Sequence, residues 1–569
     1  MPRKKKVTNG KDITSGTGEI RDEISEAFDE VPGIGDVLSR WYDIPYKILV
    51  WLLTGWRRKI VPGFIRNNAH QLINHLLQYN VHDRNKIWNR EDPTQNLLVP
   101  SDEHVAVPSV WVVELFPPNE VPALERAIAK NGWNNKTYGS VGEKNNVEAL
   151  NLSRSGKGYS WWSLAKIADM EKGKDYIYPG AKNGKLPIDF TVVKLNAVQV
   201  GTGITAVVAQ FVLTDKAAEL LDEVWHTKHE PTIIRYNGTL HPQDRMFSSF
   251  RMTQKARLSL HNSAREWMIE KIPGFFARKN EQQLVMDLML FSKYNPAKND
   301  LPDYDFIDAL KALGIKGDDY RRNVAKQLPE MLFTSADNLY PKVLDDNRTW
   351  SLIGNRDLVR KAHNNFEYQG GDTNHGSAHY ADEYATKTLI LLAVSEMLSI
   401  LENRYATLRD RAKLQHGAFK VSQSKKLSDY LLDLSLTLTS ISRDLKHMEK
   451  NGWRLDGADF ESQYSPHVIK KRKELTDKSS NMSKDLVDSQ SKVLKQLIEA
   501  DSDYRNILST VASLGAATNS ITLGRWALGV SAISLIVASI ALTVQLTAQP
   551  KVSTDKNNMQ TSLKQSENK

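Results

Sequence analysis

The stretch Trp526–Leu546, WALGVSAISLIVASIALTVQL, lies in a run with no charged residue between Arg525 and Lys551. A helix that crosses a bilayer needs about 20 mostly apolar residues, because backbone groups left unpaired in hydrocarbon are costly. Trp526 next to Arg525 is typical of a membrane interface. The polar side chains of the stretch can bond back to their own helix, namely Ser531, Ser534, Ser539 and Thr543. A buried core helix is the alternative. We predict a single transmembrane helix over residues 525–547.

The charges around this helix slightly favour a cytoplasmic C-terminal tail at 548–569. Arg505 and Arg525 precede the helix, and three lysines follow it, at Lys551, Lys556 and Lys564. The N-terminal sequence MPRKKKVTNGKDITSGTG, however, has no apolar core of the signal-peptide type. Export of so long a chain without a signal is less plausible than an orientation that disagrees with the flanking charges by one residue. We therefore expect the bulk of the chain to be cytoplasmic.

The composition sets few limits on function. A length of 569 residues predicts two or three domains, and 25% charged with 40% hydrophobic residues is ordinary for globular proteins. The net charge of +9 allows contact with anionic lipid or nucleic acid without requiring either. The absence of cysteine excludes disulfides, thiolate zinc sites, iron–sulfur clusters and cysteine nucleophiles.

Two features near the N-terminus bear on whether the chain contacts lipid there. Residues 1–18 form a polar arm with five basic side chains, Arg3, Lys4, Lys5, Lys6 and Lys11, and we predict that it is disordered. Such charges are attracted to an anionic leaflet, although a solvated tail or a nuclear-import signal is also consistent with them. The segment Tyr46–Trp56 is too short to span a bilayer and is followed by Arg57, Arg58 and Lys59. We interpret it as a core helix; the alternative is a helix lying in the membrane interface.

A Trp and a Pro-Gly-Phe corner occur twice with matching spacing. Trp56 precedes Val61–Phe64 and then Gln71–Tyr79, and Trp267 precedes Ile272–Phe275 and then Gln283–Phe291. Proline ends a helix, and glycine allows the backbone conformations that a tight corner needs. Each copy therefore predicts a helix, a corner and a second amphipathic helix. We therefore predict a helical module over residues 19–95 and a second copy of its corner near 267–291.

Residues 96–375 are predicted to form an α+β body with mixed or antiparallel strands. Val110–Val113 is a β-branched run, and Ile188–Val200 and Thr205–Leu213 alternate around the loop Gly201–Gly203, which predicts a hairpin. Helices are expected at 122–131, 217–226 and 305–313. Residues 134–187 are rich in Gly, Asn, Ser and Lys and are expected to form a long loop or insertion.

Residues 376–524 are predicted to form a long antiparallel helical hairpin. One heptad seam comprises Leu427, Leu431, Leu434, Leu438, Ile441, Leu445 and Met448, and a second runs from Val493 to Ile521. The tip at 451–466 carries Trp453, Phe460 and Tyr464, which either bind a partner or cap the hairpin. This coiled-coil stalk would lead directly into the membrane helix.

The sequence motifs assign no catalytic, cofactor-binding or metal-binding residue. The Gly201–Ala206 segment GTGITA is followed by a strand pattern, so it predicts a hairpin turn instead of a dinucleotide loop. The Ser153–Ser160 segment SRSGKGYS departs twice from a phosphate-binding loop. His375 and His379, with Asp372 and Asp382 nearby, have the spacing of a metal pair but also of a capped helix start. The pair His226 and His229 is a weaker signal.

These features favour a membrane-anchored interaction or regulatory protein, in which the stalk mediates self-association or binds a protein partner. The alternative is a membrane-tethered enzyme with its active site in the body between the two Pro-Gly-Phe corners, acting on a membrane-associated or nucleotide substrate. Nucleic-acid binding is a third hypothesis, but no interleaved aromatic and basic motif supports it.

Overall fold

The computed structural model describes residues 40–88, 97–135, 145–156, 160–171, 180–201, 203–297, 304–315, 321–336, 348–363, 373–415, 458–465 and 479–518. It also describes helical residues 430–432, 434–439, 441–443, 530–531 and 533–539. The basic arm at 1–18 and the tail at 548–569 lie outside the described residues. The chain divides into a body, residues 1–394 and 447–487, and a helical unit, residues 395–446 and 488–569.

The described part of the body begins with three helices, α1 (Asp43–Leu53), α2 (Arg57–Ile60) and α3 (Gly63–Trp88). The next helices of the body are α4 (Val121–Lys130), α5 (Asn146–Arg154), α6 (Asp215–His226), α7 (Arg245–Lys271), α8 (Phe275–Arg278), α9 (Tyr304–Ala312) and α10 (Arg356–Ala362). Two long helices begin in the body and end in the helical unit, α11 (Asn374–Gln415) and α12 (Met482–Thr518). The predicted helices at 122–131, 217–226 and 305–313 are thus confirmed as α4, α6 and α9.

The strands of the body are β1 (Val105–Ala106), β2 (Ser109–Phe116), β3 (Trp161–Ala168), β4 (Lys182–Asn183), β5 (Phe190–Gln199), β6 (Thr205–Leu213), β7 (Thr232–Tyr236), β8 (Thr239–Gln243), β9 (Val285–Phe291), β10 (Arg321–Val324), β11 (Met331–Ser335), β12 (Thr349–Asn355), β13 (Glu461–Tyr464) and β14 (Ser480–Asn481). The strands β7 and β8 form a separate ribbon. Among the described residues, the other strands form one 12-stranded sheet in the order β14-β13-β10-β11-β12-β9-β2-β6-β5-β3-β4, with β1 on β9.

This sheet is mixed. The pairs β9–β12 and β3–β4 are parallel, and the remaining pairs are antiparallel. The predicted hairpin is confirmed, because β5 and β6 pair antiparallel from Val192 with Val212 to Gln199 with Thr205. The expected loop at 134–187 is wrong in part, since α5 and the β3 strand of the sheet lie within it. The polar composition of residues 134–187 is typical of a loop, and β3 mixes exposed and buried residues along its length, so no strand was expected there.

The centre of the sheet is covered on both faces, so that β2 is buried along its whole length. On one face, Arg257 of α7 binds Asp287 of β9, the residue paired with Val110. On the other face, the indole Nε1 of Trp111 donates a 2.7 Å hydrogen bond to Asp382 of α11. Neighbouring residues of a strand point to opposite faces, and therefore α7 and the first half of α11 sandwich the sheet.

A buried polar group links α7 to the sheet. The guanidinium of Arg257 donates to both carboxylate oxygens of Asp287 at 2.8 and 3.1 Å, and Nε2 of His261 lies 2.9 Å from the same carboxylate. Burial alone would raise the pKa of Asp287, but the positive charge of Arg257 and the hydrogen bond from His261 hold it below its usual range. Because all three side chains are buried, we assign this group to structure.

The two Pro-Gly-Phe corners lead into different elements. Gly63 begins α3, a helix of 26 residues that contains Gln71–Tyr79. Gly274 precedes the four-residue helix α8, and most of Gln283–Phe291 is the buried strand β9. The predicted repeat of a helix, a corner and an amphipathic helix is therefore wrong after the second corner. An apolar run that is buried on both sides has no periodicity to separate strand from helix.

The second corner is packed tightly against β2. A Cβ atom on Gly274 would lie 2.5 Å from Cγ of Glu114 and 2.7 Å from the carbonyl oxygen of Leu115. The Glu114 carboxyl group accepts hydrogen bonds from the backbone N–H groups of Phe276 and Ala277, at 2.8 and 3.2 Å, and so caps α8. Burial raises the pKa of Glu114 to about 7, although these donors act in the opposite direction.

The predicted hairpin tip belongs to the body. Residues 461–464 form β13, which pairs with β10, and the buried Phe460 packs on Phe333 with ring centroids 4.8 Å apart. Trp453 lies outside the described residues. The described part of this segment is therefore a strand of the body that pairs with the edge of β10, instead of a loop at the end of a hairpin.

In the helical unit, three helical segments meet at one carboxylate. Asp501 of α12 accepts a 2.8 Å hydrogen bond from the hydroxyl of Tyr405 in α11 and another from Ser435. Arg505 completes the group with a 2.6 Å ion pair. Four residues of the first predicted heptad seam are buried, Leu431, Leu434, Leu438 and Ile441. Leu427, Leu445 and Met448 lie outside the described residues.

Candidate functional site

An exposed apolar face runs along the first described helix. Trp41, Ile44, Ile48 and Trp51 are all exposed, and their spacing of three or four residues puts them on one face of α1. Ile48, for example, is 59% exposed. Of the predicted core helix Tyr46–Trp56, only Leu53 is buried. The core-helix interpretation of this segment is therefore wrong.

The exposed apolar residues continue beyond α1. Gly55 turns the chain with a φ of +65°, and Trp56, Ile60 and Phe64 follow, with Trp56 67% exposed. We call the seven residues Trp41, Ile44, Ile48, Trp51, Trp56, Ile60 and Phe64 the N-terminal apolar surface. Large exposed apolar patches with tryptophan mark interaction sites, since solvated surfaces rarely carry them.

This surface is bordered by positive charge. Residues 40–66 contain six basic side chains, at Arg40, Lys47, Arg57, Arg58, Lys59 and Arg66. Asp43 is the only acidic residue in the same range, and it is buried. Arg57 donates a 2.8 Å hydrogen bond to the carbonyl of Trp51, and its guanidinium lies 4.3 Å from the Trp51 ring centroid. The exposed charge here is therefore entirely positive.

Aromatic packing fixes the surface to the rest of the body. The buried Tyr42 stacks on Tyr79 of α3 with centroids 6.0 Å apart, and Trp41 meets the same ring edge-on at 4.8 Å. Arg245 at the start of α7 lies 5.4 Å from the Tyr79 ring centroid. The N-terminal apolar surface is thus held to α3 by the rings of Tyr42 and Trp41, while Trp51 and Trp56 remain exposed.

The predicted transmembrane segment is described only at 530–531 and 533–539, and these residues are helical. Leu535 is 71% exposed, and Ile533 and Ile536 are exposed as well. Ser534 donates a 2.9 Å hydrogen bond to the carbonyl of Val530, and Ser539 a 2.7 Å bond to that of Leu535. The apolar side chains therefore face outwards, while these two hydroxyls are satisfied within the helix.

Within the described residues, one helix is long and apolar enough to cross a membrane, and it is α11 over Asn374–Asp410. This helix is not C-terminal, and 72% of its most apolar window is buried inside the protein. Ala381, Ala385 and Leu389 are among its buried residues. Such burial is typical of a core helix, so length and hydropathy alone are weak evidence for a membrane span here.

A polar row crosses the sheet beneath the start of α11. Lys166, Lys194, Gln210 and Trp111 are register partners on β3, β5, β6 and β2. The Gln210 side chain donates to the carbonyl of Ala378 at 3.3 Å, and its Oε1 is buried without a partner among the described residues. Burial and the neighbouring Lys166 lower the pKa of Lys194, while Asp382 opposes them.

The two histidines of the predicted pair lie over this row. Burial lowers the pKa of both His375 and His379, and the positive charge of Lys194 acts in the same direction. Asp382 is already bonded to Trp111, and Asp372 lies outside the described residues. The pair therefore lies near charges of both signs, with Lys194 acting on both rings, Asp215 on His375 and Asp382 on His379.

A second histidine cluster joins α6 to the start of β1. His104 Nδ1 lies 2.8 Å from Asp222, and His226 is the third member of a group with the spacing of a metal site. Both ring nitrogens of His226, however, face backbone carbonyl oxygens, those of Asp222 at 2.7 Å and Glu103 at 2.9 Å. Carbonyls only accept, so a His226 ring that makes both hydrogen bonds is doubly protonated and offers no lone pair to a metal ion.

The electrostatic environment of His226 also favours its protonated form. Burial lowers the pKa of His226, but the hydrogen bonds to the carbonyls of Asp222 and Glu103 and the charge of Asp222 outweigh it and raise the pKa above its usual value. His104 and Asp222 were missed by the sequence interpretation because they are far from one another in the chain. His229 is not a member of the cluster.

The remaining motifs have structural roles or lie partly outside the described residues. The Gly201–Ala206 segment turns between β5 and β6, as predicted, although Thr202 is not described. The Ser153–Ser160 segment ends α5, and its residues 157–159 are not described. Comparison with protein-family models, curated proteins and solved structures finds no match to this chain.

Proposed function

We propose that this chain is a membrane-anchored interaction or regulatory protein, held by one C-terminal transmembrane helix over Trp526–Leu546. The supporting observation is the exposure of Ile533, Leu535 and Ile536 on a helix whose Ser534 and Ser539 hydroxyls bond internally. An apolar surface of this kind is costly in water and favourable in hydrocarbon. A segment that needs lipid explains both its composition and its outward-facing side chains.

The body, in this proposal, lies on the cytoplasmic side, and the helical unit mediates self-association or binds a protein partner. The heptad spacing of 427–448 supports a helix-pairing role. The seam residues Leu431, Leu434, Leu438 and Ile441 are buried within the chain, whereas Leu436, which lies outside the seam, is exposed. The chain has no cysteine, so Ile188→Cys, at an exposed position of the body, would be a unique thiol. A membrane-impermeant thiol reagent should modify it in inside-out vesicles and leave it unmodified in right-side-out ones.

The anchor is tested by fractionation of the full chain. The wild type should stay with membranes through high-salt and alkaline washes and be released by detergent. In the variant L535R/I536R, two charges are added at exposed positions, and each arginine near the centre of a spanning helix opposes insertion by about 2.5–3.5 kcal/mol. This variant should lose its resistance to the washes.

The matched control is L535A/I536A, which removes the same side chains without adding charge. It should fractionate like the wild type, because alanine is tolerated in a spanning helix. Release of the wild-type chain by salt alone would contradict the proposed anchor, and so would a wash-resistant L535R/I536R variant.

A further inference from the structure

We propose that the N-terminal apolar surface is a second, peripheral membrane contact, which inserts its tryptophans and isoleucines into the interface of a bilayer containing anionic lipid. This inference deepens the proposed function and rests on it in one respect, namely that the chain is already attached to a membrane. The contact itself is argued from the composition, exposure and charge of residues 40–66.

The composition of the surface matches the membrane interface. Trp41, Trp51 and Trp56 supply three of its seven side chains, and tryptophan is the residue most typical of the headgroup region. The helices α1 and α2 are too short to span the bilayer, so in this proposal they lie along its surface. Ile44, Ile48 and Trp51 lie on one face of α1, which is the arrangement of an interfacial helix.

The charge of the surface favours an anionic leaflet. Lys47, Arg58 and Lys59 are exposed, and no exposed acidic residue lies between positions 40 and 66. Arg57 covers the Trp51 ring with its guanidinium while it bonds the Trp51 carbonyl. A basic side chain at the edge of an apolar face can bind lipid phosphate with its charged group. Its aliphatic part and the ring beneath it can stay at the boundary between headgroups and acyl chains.

The same charges disfavour a second copy of this chain as the partner. A two-fold dimer would place each surface against its own copy, so that the basic residues of the two chains would approach each other. Exposed acidic residues that could compensate them are absent from positions 40–66. An anionic bilayer offers hydrocarbon to the apolar side chains of the surface and lipid phosphate to its basic side chains.

The experiment uses the full chain with one cysteine introduced at a time, since the natural chain has none. The Ile48→Cys variant carries an environment-sensitive fluorophore and is reconstituted into vesicles of phosphatidylcholine alone or mixed with phosphatidylserine. Nitroxide lipids with a shallow spin label serve as quenchers. We expect a blue-shifted emission and strong quenching at position 48 in the mixed vesicles.

Two further label positions give the reference values. Ile188→Cys is the matched control, because Ile188 is also an exposed isoleucine of the body, 81% exposed, and should remain unquenched. Trp51→Cys samples the same surface independently of position 48 and should behave like it. Both substitutions are at exposed positions, so neither removes a buried contact.

The charge requirement is tested on the Ile48→Cys background. K47Q/R58Q/K59Q should reduce quenching in phosphatidylserine vesicles by about two-fold or more, since each basic side chain near an anionic surface adds to the attraction. The control K185Q/K216Q/K228Q removes the same charge from exposed lysines elsewhere in the body and should leave quenching unchanged. An equal effect of the two triple variants would overturn the anionic-lipid assignment.

The outcomes separate this inference from the anchor. A label at Leu535→Cys, read with deep nitroxide lipids, reports the proposed transmembrane helix in parallel. Quenching at 535 with none at 48 and 51 overturns the peripheral contact and leaves the anchor. Quenching at 48 and 51 with none at 535 supports the contact and contradicts the anchor. A blue shift at 48 without quenching means that protein, such as a second copy, covers the surface, and it overturns the proposal.

Discussion

Glu114 is a carboxyl group in the middle of the body, and its environment makes stability depend on pH. Burial raises its pKa to about 7 in the folded chain, against a usual value near 4.5. Between these values the folded state binds more protons than the unfolded state. The stabilising contribution is therefore complete below about pH 4.5 and is lost as the pH rises through about 7, a change of about 3 kcal/mol.

We expect Glu114→Gln to remove this part of the pH dependence. The free energy of unfolding, from urea titrations between pH 4.5 and 8, should fall with pH more steeply for the wild type than for the variant. The variant will be less stable at low pH, since an amide cannot accept all the hydrogen bonds of the carboxyl group. Glu219→Gln, at an exposed position, should keep the wild-type slope; parallel curves for wild type and E114Q would contradict the prediction.

At the level of elements, the two Pro-Gly-Phe corners use their glycines differently. At Gly63, an added Cβ would meet nothing closer than the end of the Arg66 side chain at 3.9 Å. At Gly274, it would overlap Glu114 and the backbone of Leu115. The glycine of the first corner is therefore replaceable, and that of the second is required by the close approach of α8 to β2.

We therefore predict opposite effects of one substitution at the two corners. Gly274→Ala should destabilise the body by about 1–3 kcal/mol through overpacking. Gly63→Ala should be neutral or stabilise by up to about 1 kcal/mol, since alanine restricts the unfolded chain and suits a helix. Denaturant midpoints of the two variants provide the comparison, and a similar loss in both would show that the corners are equivalent after all.

At the level of the whole molecule, the body and the helical unit each have their own buried polar group. Asp287 binds Arg257 and His261 in the body, and Asp501 binds Tyr405 and Arg505 in the helical unit. Chains with two compact units commonly unfold in more than one step. We accordingly expect calorimetry of the detergent-solubilised chain to resolve two transitions.

Substitutions at the two carboxylates should identify these transitions. Asp287→Asn breaks a buried ion pair and should cost the body about 3–5 kcal/mol, which lowers the transition of the body. Asp501→Asn should cost the helical unit about 1–3 kcal/mol and lower the other transition. If either substitution shifted both transitions equally, the two units would unfold as one.

The sequence by itself determined the local elements. Proline, glycine and β-branched patterns located the strand at Val110, the hairpin around Gly201 and the helices α4, α6 and α9, because these signals act through neighbouring residues. The apolar spacing from Trp41 to Trp51, together with Arg57 to Lys59, also carried the signal of the N-terminal apolar surface. Whether the apolar face of such a helix packs on a core or is exposed depends on residues distant in the chain, so neighbouring residues alone do not determine it.

Only the tertiary structure decided what each face of an element contacts. It showed that β9 is a strand, because its apolar run is covered on both sides, and that Glu461–Tyr464 belongs to the sheet, because it pairs with the edge of β10. It paired Lys166 with Lys194 through strand register and brought the two histidines of α11 near Lys194. It also exposed Trp51 and Trp56 while burying most of the apolar window of α11. Hydrophobic burial depends on partners far apart in the chain, and a local pattern contains no information about them.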